Sequence, residues 1–423
     1  MKATIYPSTS GGEVIIPPSK SMSHRAIICA CLAKGTSRID NIAYSVDVTT
    51  TIEGMKKLGA KVQCFDDYLI VEGIQDFNHL QDSTINCNES GSTLRFFIPL
   101  FANTNQEVSF TGKNRLLKRP QKIYETIFNQ QGCFYSQSDE SIQIKGALKP
   151  GTFTLPGNVS SQFISGLLFL LPMLDADSTI VIKDDFESRS YVDLTIQMLK
   201  EFHIHVEFKN DSTLHIPGNQ QYYAHNTRVE GDYSQFAFFA VLAAINHDLT
   251  ILGVAHDSLQ GDKQILQILD DFKIKVETIE NGYRVYHSTP IAHDIDLSNC
   301  PDLGPILCVL AMNAKGTTKI TNAARLRIKE SDRIEAMETE LKKFGANITS
   351  TEDEIMIIGG WNQTPLSVIG WKDHRIVMAL SVASSIAAHP VIIEEAEYIE
   401  KSYPTFFEDC LKVALKVEVE DEK

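Results

Sequence analysis

Charged and small polar side chains gather in this chain just ahead of long apolar runs. In the first half they form the segments PPSKSMSHR at 17–25, NESGSTLR at 88–95 and GNVSSQF at 157–163. If each apolar run is a helix, these segments lie at helix N-termini, where free N–H groups and the positive end of the dipole bind phosphate or carboxylate. Lys20 and Arg25 add fixed positive charge, and Gly91 lets the backbone approach a ligand closely. The pattern therefore predicts sites for anionic small molecules.

Each of these segments also has an ordinary structural interpretation. Serine is a good helix N-cap, so a Ser-rich turn often does no more than cap a helix. The sequence S-G-S-T at 90–93 is a weak signal by itself. The repetition at equivalent places along the chain is what favours ligand binding.

Groups suited to acid–base chemistry follow in the second half. They lie in CPDLGP at 300–305, RLRIKESDR at 325–333, WKDHR at 371–375 and KSYPTFFED at 401–409. Carboxylates held among cations can exchange protons with a substrate if their pKa values are pushed apart. A mixed-charge run is also typical of a solvated face, and His374 beside Asp373 is also typical of a structural pair. Their position ahead of apolar runs favours the lining of a cleft.

One unit, repeated six times, must position these segments. A helix end, a turn and a strand start recur at intervals of roughly 70 residues, which indicates one supersecondary unit used again and again. These markers end at Val62, Phe134, Val206, Val276, Ile348 and, more faintly, Val417. A second marker, the start of a β-branched strand, keeps the same phase near Ile39, Val108, Ile180, Thr250, Lys319 and Val391.

Each unit is predicted to hold two helices and several short strands. The first helix is apolar nearly all round, as at 26–33, 96–102 and 163–171. A helix without a polar face is buried on all sides, so we expect three such helices stacked parallel in each of two domains, with sheets outside. The second helix, such as 46–60, has mixed character. Strands at 3–6 and 13–16 are expected to complete the last unit and bring both termini into one domain.

Composition indicates a large α/β protein and argues against two classes. The chain has 423 residues, 43% of them hydrophobic and 22% charged, with a net charge of −15. That charge disfavours a nucleic-acid binder, which needs a basic face, although a local cluster of Arg and Lys still admits anionic substrates. The N-terminus lacks the apolar core of a signal peptide, and the longest apolar stretch, 163–174, is too short for a bilayer. We expect a cytoplasmic protein with no membrane contact, whose eight scattered cysteines are free thiols.

These segments, with others between them, resemble the motifs of the 5-enolpyruvylshikimate-3-phosphate synthase family. In chain order the matching motifs are PPSKSMSHR, SGSTLR, KRP at 118–120, SSQF, SRSY at 188–191, PD at 301–302, KESDR, DHR and KSYP. They span essentially the whole chain. The resemblance implies an α/β fold of two domains, each built from three βαβαββ repeats as a pseudo-threefold inside-out α/β barrel, with buried parallel helices and sheets outside.

The resemblance also implies a reaction. The enolpyruvyl group of phosphoenolpyruvate is transferred to the 5-hydroxyl of shikimate 3-phosphate, with release of phosphate, on the shikimate pathway to chorismate and the aromatic amino acids. Residues 1–18 and 227–423 would form a discontinuous domain on the phosphoenolpyruvate side, and 19–226 an inserted domain on the shikimate 3-phosphate side. The active site would lie in the cleft between them. The resemblance further implies a monomer and inhibition by glyphosate in the phosphoenolpyruvate site. From the charge and the residue types we expect no cofactor, no metal and no nucleic-acid partner.

Residue roles carry over from the resemblance position by position. The implied shikimate 3-phosphate ligands are Lys20, Ser21, Arg25, Ser160, Ser161, Gln162, Ser188, Tyr191, Asp302 and Lys329. The implied phosphoenolpyruvate ligands are Lys20, Gly91, Arg119, Gln162, Arg333, Arg375 and Lys401. Asp302 matches the proton acceptor, and the implied catalytic set is Lys20, Asp302, Glu330 and His374. Arg and Lys side chains that fork onto carboxylate or phosphate suit two substrates that each carry both groups.

The chain departs from the family pattern in two places. Arg325 stands where one well-studied form has Asn. The glycine loop commonly reads N-A-G-T-A-M-R-P, whereas here it reads ESGSTLRF at 89–96. Ser92 and Phe96 therefore differ at positions that shape the phosphoenolpyruvate pocket.

Two alternative functions remain open at this point. The sister enolpyruvyl transferase acts on UDP-N-acetylglucosamine, but it typically has Lys-Asn where Lys20 and Ser21 stand, and a mobile loop with a reactive Cys, whereas Cys133 lies at a repeat turn. A non-catalytic protein that binds anions or RNA ends could use the same repeat. The low pI, about 5.3, and the pair Asp302 and Glu330 count against that second alternative.

Overall fold

The computed structural model describes residues 1–74, 76–77 and 80–420. The chain forms two compact units, each with its own hydrophobic core. The terminal unit consists of Met1–Pro17 and the chain from Glu230 onward, and the inserted unit consists of Pro18–Val229.

The α-helices of the described residues alternate between two kinds. They are α1 (Lys20–Leu32), α2 (Val46–Lys57), α3 (Gly91–Ala102), α4 (Lys122–Gln130), α5 (Ser161–Leu170), α6 (Arg189–Glu201), α7 (Tyr233–Ile245), α8 (Ile265–Asp271), α9 (Gly304–Met312), α10 (Arg333–Lys343), α11 (His374–Ser384) and α12 (Phe406–Lys412). The odd-numbered helices are apolar nearly all round and almost wholly buried, whereas the even-numbered ones expose a polar face. The predicted buried helices are therefore confirmed, three to a unit.

Short strands separate the helices. They are β1 (Lys2–Tyr6), β2 (Glu13–Ile15), β3 (Thr36–Asp40), β4 (Lys61–Cys64), β5 (Tyr68–Glu72), β6 (Thr84–Asn86), β7 (Val108–Thr111), β8 (Phe134–Gln137), β9 (Ile142–Lys145), β10 (Thr152–Pro156), β11 (Ser178–Lys183), β12 (Glu207–Asn210), β13 (Thr213–Ile216), β14 (Thr227–Arg228), β15 (Leu249–Leu252), β16 (Val276–Ile279), β17 (Gly282–Val285), β18 (Ile295–Asp296), β19 (Thr317–Thr321), β20 (Asn347–Ser350), β21 (Ile355–Ile358), β22 (Ser367–Ile369), β23 (Val391–Glu394) and β24 (Lys416–Glu420).

These strands form four-stranded sheets with one shared pattern. In the inserted unit the orders are β14-β3-β5-β4, β6-β7-β9-β8 and β10-β11-β13-β12. In the terminal unit they are β2-β15-β17-β16, β18-β19-β21-β20 and β22-β23-β1-β24. The first two strands of each sheet run parallel and the others antiparallel. A parallel pair needs a crossover connection, which a buried helix supplies in the sequence β6, α3, β7. The predicted βαβαββ repeat is confirmed.

In two of the sheets the first strand lies far along the chain from the strand with which it pairs. β2 precedes α1 but pairs with β15, and β14 precedes α7 but pairs with β3. The expectation that both N-terminal strands complete the last repeat is therefore right for β1, which pairs with β23 and β24, and wrong for β2. β14 thus lies in the inserted unit, which begins at Pro18 and ends at Val229.

Polar side chains at the starts of the buried helices cap them. Ser19, Ser90 and Ser160 accept hydrogen bonds from backbone N–H groups in the first turns of α1, α3 and α5. Asp232 and Asp373 do the same for α7 and α11. These caps satisfy part of the free N–H groups and leave the first turns positively polarised. In the part of the chain that the structure describes, no helix is long and apolar enough to cross a membrane.

Candidate active site

Lys20 opens helix α1 in the inserted unit and is held by a carboxylate of the next helix. Its Nζ lies 2.9 Å from Oδ2 of Asp47 in α2. The Lys20 side chain is 15% exposed and that of Asp47 only 4%, so the ion pair is partly shielded from water. Asp47 thus fixes the direction of the ammonium group at the helix start. Sequence reasoning missed Asp47, because an acidic residue in a first helical turn is the ordinary preference of the dipole.

Arg25, one turn further along α1, is almost fully buried. Its Nε donates to Oγ1 of Thr195 at 2.8 Å, and its Nη atoms donate to the backbone carbonyls of Ser21 and Tyr191 at 2.7 and 2.9 Å. The guanidinium centre lies 5.4 Å from the ring centroid of Phe96, within cation–π range. Burial lowers the pKa of Arg25 to about 10, so the group stays charged at neutral pH. Arg25 therefore ties α1 to the first turns of α6.

Gly91, the first residue of α3, lies directly against the guanidinium of Arg119. A Cβ atom at this position would approach Nη1 of Arg119 to 2.6 Å and its Cζ to 3.1 Å. Real Cβ contacts this close do not occur without a shift of the neighbour. The glycine thus lets an arginine, only 8% exposed, lie across the positive end of a helix.

Gln162 links the starts of α3 and α5. Its Oε1 accepts from Nη1 of Arg95 at 2.7 Å, and its Nε2 donates to Oγ of Ser92 at 2.9 Å. Because arginine only donates, this contact sets the orientation of the amide. Ser160 caps α5 by accepting from the backbone N–H of Gln162 at 3.3 Å, and Ser161 begins the helix. Gln162 is therefore held between the starts of α3 and α5, whereas Ser160 and Ser161 lie at the start of α5.

Pro99 inside α3 would normally leave a helical carbonyl without a donor. Proline has no N–H to give to the carbonyl four residues earlier, that of Arg95. The hydroxyl of Tyr124 donates to this oxygen at 2.6 Å instead. A Cβ on Gly166 of α5 would meet the Tyr124 hydroxyl at 2.3 Å and the Arg95 carbonyl oxygen at 2.4 Å, so this glycine allows α3 and α5 to pack closely.

Ser188 and Tyr191 begin α6. Ser188 is buried and adopts a left-handed backbone conformation, with φ of 53°, at the N-cap position. The carbonyl of Tyr191 is one of the two backbone acceptors of Arg25. Local strain of this kind is held only where the surroundings fix it, and it clusters at functional sites.

Asp302 is the centre of the charged cluster in the terminal unit. Its carboxylate lies 3.2 Å from Nζ of Lys329, 2.9 Å from Nη1 of Arg333 and 3.0 Å from Nη2 of Arg375. Burial alone would raise the pKa of Asp302, but Arg375, Lys329 and Arg333 together hold it well below its usual range. The carboxylate is therefore ionised at neutral pH. Pro301 and the short 3-10 turn Pro301–Leu303 place it at the start of α9.

Arg333, the first residue of α10, is buried among carboxylates. Its Nε donates to Oδ2 of Asp373 at 2.8 Å and its Nη2 to Oδ1 at 3.2 Å, which makes a forked pair. Nη2 also donates to Oε2 of Glu330 at 3.0 Å. Burial would lower the pKa of Arg333, but Asp373, Glu330 and Asp302 raise it above its ordinary value. Arg333 is thus a permanent cation that positions Glu330 and Asp302 together.

Lys401 and His374 complete the cluster of the terminal unit. Nζ of Lys401 lies 3.3 Å from Oε1 of Glu330, at the end of the 3-10 helix Ala396–Lys401. His374 opens α11 and is buried, with its Nδ1 3.7 Å from Oδ1 of Asp373. Burial lowers the pKa of Lys329 to about 8, even though Asp302 acts to raise it. Two carboxylates therefore lie among several buried cations.

The structure places the predicted residues at or next to helix starts and short 3-10 turns, except Arg25, which lies one turn into α1. Within the terminal unit it brings together Asp302, Lys329, Glu330, Arg333, Arg375 and Lys401. The segment RLRIKESDR splits, because Arg325 donates to the carbonyl of Ser298 at 2.6 Å and Arg327 pairs with Asp332 at 2.9 Å. Thr195 was missed by the sequence analysis, since a hydroxyl in the middle of an amphipathic helix carries no signal.

The comparisons with known proteins establish the class first. The fold is similar to two structures of EPSP synthase from Acinetobacter baumannii, one at 26% identity with a TM-score of 0.81 over 99% of this chain and 100% of the other, the second at 25% with a TM-score of 0.80 over 100% of both. It also matches the enolpyruvyl transferase NikO from Streptomyces tendae with a TM-score of 0.80 over 99% of this chain and 98% of that one, where 14% identity shows the fold alone. The architecture is thus that of an enolpyruvyl transferase.

Sequence comparison narrows this class to one family. A model of the family EPSP synthase (3-phosphoshikimate 1-carboxyvinyltransferase) matches residues 6–410. A 3-phosphoshikimate 1-carboxyvinyltransferase of Clostridium kluyveri is 44% identical over 96% of both chains. One of Clostridium perfringens is 45% identical over 96% of this chain and 97% of its own. The chain belongs to the EPSP synthase family, and the resemblance found in the sequence is confirmed.

Proposed function

We propose roles for individual residues in the reaction of this family. The chain transfers the enolpyruvyl group of phosphoenolpyruvate to the 5-hydroxyl of shikimate 3-phosphate, on the shikimate pathway, as its family membership shows. The observation that carries the residue roles is the ionised carboxylate of Asp302 between Lys329, Arg333 and Arg375. A base for the hydroxyl and cations for the anionic groups are the two things that this chemistry needs.

Phosphoenolpyruvate binds mainly to cations in this proposal. Its proposed ligands are Lys20, Gly91, Arg119, Gln162, Arg333, Arg375 and Lys401. Buried or half-buried cations are suited to a small dianion because the screening by water is weak. The closeness of Gly91 and Arg119, with no side chain between helix start and guanidinium, supports a phosphate position there. That both units contribute to one site stays a prediction from the resemblance.

Shikimate 3-phosphate binds mainly to the inserted unit. Its proposed ligands are Lys20, Ser21, Arg25, Ser160, Ser161, Gln162, Ser188, Tyr191, Asp302 and Lys329. The starts of α1, α5 and α6 offer hydroxyl groups and polarised N–H groups, which suit a phosphate. Arg25 donates three hydrogen bonds to protein groups. We therefore propose that it holds α1 against α6 and also binds the substrate.

Asp302 accepts the proton of the 5-hydroxyl in the proposed mechanism. While it is paired with its three cations it is a weak base, since they hold its pKa down. Anionic substrates compete for Arg333, Arg375 and Lys329, and each ion pair that Asp302 loses raises its proton affinity. Glu330 is paired with Lys401 and Arg333. Together with His374 it is proposed to supply the polar groups around the reacting carbon of phosphoenolpyruvate. Addition joins the hydroxyl oxygen to the phosphate-bearing carbon of phosphoenolpyruvate and a proton to its methylene carbon. Elimination then removes a proton from the new methyl group as the bond to phosphate breaks, and no nucleophilic side chain is needed.

We also propose a cytoplasmic monomer that does not bind nucleic acid. The net charge of −15 supports the last point, because a nucleic-acid binder needs a basic face. The apparent mass at several concentrations, from light scattering, tests the monomer.

Phosphate release is the direct test of the function. The chain should release phosphate from phosphoenolpyruvate with shikimate 3-phosphate and not with UDP-N-acetylglucosamine. Asp302→Asn should lose at least about 10²-fold in kcat, the range of general-base catalysis. Release with UDP-N-acetylglucosamine would support the sister transferase, and release with neither acceptor would support a non-catalytic protein.

A further inference from the structure

Four polar side chains form a hydrogen-bonded line inside the inserted unit. Nδ1 of His24 in α1 lies 2.7 Å from Oγ1 of Thr51 in α2, which lies 2.6 Å from Oγ1 of Thr93 in α3. Oγ1 of Thr93 donates to Oγ of Ser90, the N-cap of α3, at 2.7 Å. All four side chains are fully buried, at 0% exposure. The line thus joins three helices through the interior of the unit, and we call it the His24–Ser90 line.

The direction of the hydrogen bonds along the His24–Ser90 line is determined by its last member. A hydroxyl has one proton to give, and that of Thr93 is given to Ser90. Thr51 must then donate to Thr93, and Nδ1 of His24 must carry the proton that Thr51 accepts. Burial lowers the pKa of His24 to about 3, so the imidazole is neutral at physiological pH. His24 is therefore the neutral Nδ1–H tautomer.

This arrangement is costly for stability alone. Nε2 of His24 is buried and has no hydrogen-bond partner among the described residues. An unsatisfied buried acceptor is destabilising, and apolar side chains of the same shape would avoid the cost. The line instead fixes the positions of the three helices relative to one another, because hydrogen bonds set both distance and angle, whereas apolar contacts do not.

The helices that the line joins begin with residues of the active site. α1 begins with Lys20, and α3 begins with Gly91, which lies against Arg119. α2 carries Asp47, the ion-pair partner of Lys20. Ser90 at the end of the line immediately precedes Gly91. A shift of α3 against α1 therefore moves Gly91, and with it the surface against which Arg119 lies, relative to Lys20.

We propose that His24, Thr51 and Thr93 are positioning residues that fix the start of α3 relative to the start of α1 for binding of phosphoenolpyruvate. This proposal depends on the proposed roles of Lys20, Gly91 and Arg119. None of the three positioning residues touches the substrate. Their effect appears in the affinity for phosphoenolpyruvate and leaves the affinity for shikimate 3-phosphate unchanged.

The first test replaces Thr93 by an isosteric residue. Thr93→Val removes the central hydroxyl and should raise the KM for phosphoenolpyruvate about three- to tenfold, the factor that one buried hydrogen bond is worth. The KM for shikimate 3-phosphate and kcat should stay within about twofold, far below the tenfold that 1.4 kcal/mol represents. Thr93→Ser keeps the hydroxyl and should restore the normal KM. Thr51→Val should give the same signature, and the double variant should be no worse than either, because both break one line.

The matched control lies just past the other end of the same helix. Thr104 is buried and its Oγ1 donates to the carbonyl of Phe101 at 2.7 Å, so Thr104→Val removes a comparable hydrogen bond away from the line. It should lower the melting temperature without changing the KM for phosphoenolpyruvate. If the unmutated enzyme is active and Thr93→Val and Thr104→Val have the same KM for phosphoenolpyruvate, this proposal is wrong. The proposed function would not be affected by that result.

Nitrogen-15 NMR of the imidazole tests the line without an activity assay. His24 should appear as the Nδ1–H tautomer and should not titrate between about pH 5 and 8, the range in which an ordinary histidine changes charge. Its Nδ1 proton should exchange faster with water in Thr51→Val. An Nε2–H tautomer, or a titration in this range, would overturn the proposal even if Thr93→Val fails to fold.

Discussion

Gly91→Ala should separate substrate binding from stability, because the three atoms nearest to the new methyl group all belong to the side chain of Arg119. The Cβ would lie 2.6 Å from Nη1 of Arg119, so the guanidinium must retreat by roughly 1 Å to reach ordinary contact. A displacement of about 1 Å in a positioned group costs up to about 10²-fold in rate. We expect kcat/KM for phosphoenolpyruvate to fall between about 10- and 10²-fold. The helix itself gains up to about 1 kcal/mol from Ala over Gly, so the melting temperature should not fall.

Steady-state kinetics of phosphate release, with each substrate varied, measures this effect. Glyphosate is longer than phosphoenolpyruvate, so the displaced Arg119 should raise the inhibition constant of glyphosate by a larger factor than the KM of phosphoenolpyruvate. Gly11→Ala is the matched control, since a Cβ there meets nothing within 4 Å. If Gly91→Ala leaves both constants at the values of Gly11→Ala, the assignment of Gly91 and Arg119 to phosphoenolpyruvate is wrong.

Three further perturbations test the charged clusters. Lys20→Met should lower turnover by at least about 10²-fold, the scale of one lost charge-stabilising donor. The same change leaves Asp47 without its cation. The double variant Lys20→Met/Asp47→Asn should therefore recover the melting temperature but not the turnover. Asp373→Asn leaves the buried Arg333 without its forked partner and should cost about 3–5 kcal/mol in urea unfolding; an unchanged midpoint would show that the pair is not structural. Binding of shikimate 3-phosphate should weaken as pH rises through about 8, where Lys329 loses its proton, and titration calorimetry of Lys329→Arg, which stays charged, should lack this decline.

Repetition made much of the architecture readable from the sequence. The apolar run from Phe96 to Ala102 has no polar face, and it is the buried part of α3. Such a helix needs partners, and equivalent runs roughly 70 residues apart supply them. The residues ahead of each run are equally readable, because a helix start needs caps and favours ligand binding for the same electrostatic reason. Lys20 and Asp302 could therefore be named as candidate site residues from the order of amino acids.

The sequence by itself determined the repeat, the helices and the positions of the reactive groups, since these depend on local patterns. The tertiary structure alone decided which distant groups meet. Asp47 with Lys20, Thr195 with Arg25, and the line from His24 to Ser90 all join residues on different helices. The tertiary structure also decided that β2 pairs with β15 and β14 with β3, since no local pattern in the sequence marks these pairings. The physical reason is that a helix or strand is determined by the propensities of neighbouring residues, whereas a contact between distant residues is determined by the packing of several helices and strands at once.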